Sequence, residues 1–90
     1  MYREGIRIGM VVKSKAGHDS GLLHVIVREE AGFVYIADGK LRKLDNPKKK
    51  NPLHLAKTNT VLDITDLTDK KLRTVLRTLS DGTDIAEESD

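Results

Sequence analysis

Gly9-Met10-Val11-Val12-Lys13-Ser14-Lys15-Ala16-Gly17-His18-Asp19-Ser20-Gly21-Leu22-Leu23-His24-Val25-Ile26-Val27-Arg28 sets the β character of this chain. Two apolar, β-branched runs, 9–15 and 22–29, flank a polar hexapeptide, 16–21. Such runs read as strands, and two glycines flank the polar turn between them. In the second run Leu23, Val25 and Val27 alternate onto one face; His24, Ile26 and Arg28 fall on the other. Glycine also lets backbone approach a ligand closely, so the turn, with Lys13 and Lys15 at its base, is suited to lie against phosphate.

Downstream, Glu29-Glu30-Ala31-Gly32 reads as a turn and residues 33–37, Phe-Val-Tyr-Ile-Ala, as a third strand. Asp38-Gly39 signals a two-residue hairpin leading into a fourth strand over 40–44, with Leu41 and Leu44 inward. Asn46-Pro47-Lys48-Lys49-Lys50-Asn51-Pro52 holds both prolines and reads as a basic loop. Residues 53–55 suit a short closing strand or a 3₁₀ turn, and Val61, Leu62 and Ile64 either extend a strand or pack as a connector. Short strands joined by tight turns imply a small, strongly bent sheet or SH3-like barrel.

The period changes after Thr58. Leu72, Val75, Leu76 and Leu79 recur at helical spacing, Thr68 is a good N-cap and Gly82 a good stop. The spacing predicts a helix over 68–80 whose apolar stripe docks on the sheet, with Lys70, Lys71, Arg73 and Arg77 off that stripe. A helix this short is marginal alone in water, which favours docking over a free partner-binding helix. The expected organisation is a β domain over 1–60, connector and helix over 61–82, and an acidic, disordered tail over 83–90.

Composition narrows the function classes. Ninety residues make one small domain; with one Phe, two Tyr and no Trp its core must be aliphatic. There is no cysteine, hence no disulfide and no thiolate metal site. Neither a signal peptide nor a membrane span is legible, and a cytoplasmic monomer is expected. The formal charge of +2 conceals an asymmetry: residues 1–57 carry a net +6 and residues 58–90 a net −4. A basic front of this kind faces nucleic acid. The three histidines lack metal-ligand spacing, and no nucleophile-base grouping or phosphate-loop pattern appears, so neither catalysis nor a cofactor is expected. Asp19 and Asp38 read as turn-formers.

Residues 9–21 resemble a KOW motif, a strand running into a glycine-bounded loop and a second strand. With Ala37-Asp38-Gly39-Lys40-Leu41-Arg42-Lys43-Leu44, Pro47-Lys48-Lys49-Lys50 and Leu53-His54-Leu55, the chain resembles small bacterial KOW-domain RNA-binding proteins akin to ribosomal protein L14e. The resemblance covers about residues 7–60. It implies a mostly β fold, a small SH3-like barrel of KOW type with a C-terminal α-helix, and a ribonucleoprotein role in translation. It departs from the pattern at His18 and Ser20, where relatives are commonly basic, so the loop carries little charge of its own.

The expected function is therefore binding of structured RNA, ribosomal RNA above all, without catalysis. Lys13, Lys15, Lys40, Arg42, Lys43, Lys48, Lys49 and Lys50 are the expected phosphate contacts, and Gly17, His18 and Gly21 the close-approach surface. The lysine-rich stretch 40–50 is expected to carry most of the binding. Phe33 and Tyr35 share a strand face; a base-stacking role is set against a core role, and the core role is preferred for at least one. Ribosomal proteins are further expected partners. Two alternatives stand beside this reading: a transcription or translation accessory module that binds protein through the barrel, and a structural component resident on the ribosome.

Overall fold

The computed structural model describes residues 7–15 and 21–82. Gly17 and His18, most of the glycine-bounded loop, and the acidic tail lie outside the described residues. The elements are β1 (Met10–Ser14), β2 (Leu23–Glu30), β3 (Phe33–Ala37), β4 (Lys48–Lys50), a 3₁₀ turn (Pro52–His54), β5 (Leu55–Val61) and α1 (Asp69–Gly82).

The five strands form one antiparallel sheet in the order β4-β3-β2-β1-β5. Consecutive strands pair from β1 to β4, while β5 returns to the free side of β1. The two edge strands β4 and β5 follow one another in sequence through the 3₁₀ turn. Asn51 caps that turn by accepting the Leu53 N–H at 2.9 Å, and Pro52 occupies its first position. The sheet is therefore bent so that its edges are linked by four residues, but no ladder closes β4 onto β5 among the described residues.

Both faces of the sheet are buried along β1 and the first half of β2, which explains the closely spaced apolar residues there. Met10, Val12, Ile26, Val34, Ile36 and Leu55 fill one face. His24, opposite Val12, is buried on that same side. Val11, Val25 and Ala37 line the other, where Leu72 and Leu76 of α1 cover them. Leu44, Leu62, Ile64, Leu67 and Leu79 complete this second layer. The helix thus docks on the sheet as its stripe implied. Its Thr68 hydroxyl accepts the Lys71 N–H at 3.2 Å, the N-cap bond expected of threonine there. In the connector, Asp63 accepts the Thr65 N–H at 2.9 Å, a hydrogen bond that holds its carboxyl below the ordinary range.

Residues 40–44 are not a strand: Asp38 Oδ1 accepts the N–H groups of both Lys40 and Arg42 at 2.9 Å, so a side chain closes this segment as a loop. Leu41 is accordingly 72% exposed rather than inward. The fourth strand is instead the lysine run Lys48–Lys50, expected as a loop, which pairs with Val34, Tyr35 and Ile36. Arg28 does not share a face with His24 and Ile26. A register shift between Ile26 and Arg28 places it opposite Tyr35, on the helix-bearing side.

Candidate nucleic-acid interface

The loop after β3 is built by two residues of α1 as much as by its own turn. Asp69, in the first helical turn, accepts the Leu44 N–H at 2.8 Å. Arg73 Nη1 donates to the Gly39 carbonyl at 2.7 Å. Gly39 adopts φ 79° and is buried against the helix; a Cβ there would stand 2.4 Å from the Asp69 carbonyl oxygen. Glycine is required for both reasons.

This clamp creates a groove. The loop residues Lys40 and Leu41 form one wall, Lys70, Arg73, Thr74, Arg77 and Ser80 of α1 form another, and Leu22 and Leu23 form the end towards β2. Its volume is about 750 Å³. Lys40, Lys70, Arg73 and Arg77 bring four cations to it against one carboxylate, Asp38, which the turn already engages. Leu22, 47% exposed, and Leu41 give it an apolar rim.

The groove reaches the base of the glycine-bounded loop. Gly21, the last residue of that loop, donates its N–H to the Ser14 carbonyl at 2.7 Å, and Leu22 follows directly. Lys13 is exposed opposite Leu23 and shares its face. Lys15 is exposed and its N–H bonds the His54 carbonyl at 2.8 Å. Lys13, Lys15, Gly21 and Lys40 therefore belong to this end of the molecule.

The rest of the expected set is dispersed. Arg42 is half-buried with its carbonyl accepting the N–H groups of Asp38 and Gly39, and Lys43 is exposed on the same loop. Strand alternation splits the lysine run. Lys49 shares the helix-bearing face with Tyr35, whereas Lys48 and Lys50 lie opposite Ile36 and Val34 on the other side. Lys70, Arg73 and Arg77 were legible as the polar side of an amphipathic helix. Their convergence with Lys40 was not, because it depends on where the helix docks.

Among the described residues no group of three or more His, Asp or Glu is placed to hold a metal ion, and no helix is long and apolar enough to cross a membrane. No family model matches the chain, and no curated protein matches it at a significant level.

Proposed function

We propose that this chain is a non-catalytic, cytoplasmic RNA-binding protein, associated with ribosomal RNA, that grips the RNA backbone through its basic surface. The observation that carries the reading is the groove between α1 and the loop after β3, where four cations gather around a single turn-engaged carboxylate. Such a site neutralises phosphates and orients the ligand without reading bases. The strand order, with a 3₁₀ turn linking the two edge strands, supports reading the sheet as an SH3-like barrel of KOW type. Lys13, Lys15 and Gly21 extend the surface at one end, and Lys43 and the lysine strand supply further contacts.

The exposed Leu22 and Leu41 on the groove rim favour a second reading, an accessory module of transcription or translation that takes an acidic, amphipathic peptide there.

Backbone amide shifts on titration with a ribosomal RNA fragment test the first reading. The expected footprint includes Leu22, Leu23, Lys40, Leu41, Lys70, Thr74 and Arg77. Binding that leaves these amides unmoved contradicts the groove assignment.

A further inference from the structure

We infer that the sheet face beyond the helix is a stacking platform for unpaired bases, so that the RNA bound is at least partly single-stranded. This rests on the RNA-binding reading and adds the class of RNA.

Phe33 and Tyr35 are two of the three aromatic residues in the chain. They are two apart on β3 and project to the helix-bearing face. A core role was the expected one for at least one of them, but neither belongs to either buried cluster: Phe33 is 37% exposed and Tyr35 half-buried. Each ring is paired with a cation. Arg28 Cζ lies 4.1 Å from the Tyr35 ring centre, and Lys49 Nζ lies 4.5 Å from that of Phe33. Both distances are within cation-π range. Arg28, Tyr35 and Lys49 form one rung across β2, β3 and β4.

The rung exists because of the register shift before Arg28, which turns that side chain onto the aromatic face. A guanidinium lying on a phenol ring is itself a flat surface on which a base stacks. Glu30 lies 3.7 Å from Arg28 Nε; both side chains are well exposed, so the pair is weak. The guanidinium therefore stays on the Tyr35 ring, available to a base. Stacking on aromatic rings tolerates any base but requires an unpaired one, and a duplex hides the base faces.

The test measures affinity of the full chain for a 12-nucleotide single-stranded oligouridine and for a 12-base-pair RNA duplex. It compares wild type, Phe33→Ile/Tyr35→Ile and Lys40→Gln/Lys70→Gln/Arg77→Gln, each checked by thermal melting. The double ring variant is expected to lose about 5-fold or more for the single strand and nothing for the duplex, while Phe33→Tyr retains single-strand binding. The groove variant is expected to weaken for both. A double ring variant that binds the single strand like wild type, or that loses both ligands equally, overturns this inference alone. Wild type binding neither RNA removes the RNA reading and this one with it.

A second readout does not depend on that variant folding. In a Tyr2→Phe background Tyr35 is the sole tyrosine. Its fluorescence is expected to be quenched by oligouridine and unchanged by inorganic polyphosphate. Absence of quenching at saturating oligouridine overturns the platform.

Discussion

Gly39 is the residue on which the groove turns. Its carbonyl receives Arg73, its φ is positive and its α-carbon faces the Asp69 carbonyl with no room for a methyl group. Gly39→Ala is expected to destabilise the domain by about 1–3 kcal/mol, from backbone strain and the displaced helix end, measured by urea denaturation. It should also weaken RNA binding, since Lys40 is carried by the same loop. An unchanged denaturation midpoint would contradict the clamp. The turn at Asp38-Gly39 was legible in the sequence; what followed it was not. Leu41 and Leu44 are three residues apart, and a strand face repeats every two. Two carboxylates, Asp38 and Asp69, replace the sheet partner that the segment does not have. The second of these is 25 residues from the amide it accepts and leaves no local signal.

Among the elements, β1, β2, β3 and α1 were readable because each carries its own apolar pattern. The lysine strand β4 carries none. It is a strand because Val34, Tyr35 and Ile36 present an unpaired edge that three extended residues can satisfy. Short, lysine-rich edge strands also resist pairing with other chains. The spacing predicts a helix over 68–80, and α1 runs Asp69–Gly82; the Thr68 cap and the apolar stripe define it closely. Docking of that stripe is what brings Lys70, Arg73 and Arg77 to the groove. Leu72 is fully buried between α1 and the sheet. Leu72→Ala is expected to cost about 2–5 kcal/mol by cavity formation, read from chemical denaturation. A loss well under 1 kcal/mol would mean that the helix is not held as described. Gly21, the described end of the glycine-bounded loop, leads through Leu22 to the groove.

At the scale of the whole molecule, the basic half of the sequence does not map onto one patch. The fold divides it between the groove, the loop around Arg42 and Lys43, and the two faces of β4. It also recruits cations from the helix, which lies in the half of the sequence with net negative charge. A charge count along the chain therefore placed the emphasis on 40–50, whereas the geometry places four converging cations between Lys40 and Arg77. The measurement that bears on this most directly is the salt dependence of RNA affinity for wild type and for Lys40→Gln/Lys70→Gln/Arg77→Gln. Arg73 is left in place because it holds Gly39. If the three cations meet phosphates, the slope of log affinity against log salt becomes shallower by about 2, at roughly 0.7 per phosphate contact on single-stranded RNA. A variant that folds like wild type and keeps both its low-salt affinity and its slope would contradict the account.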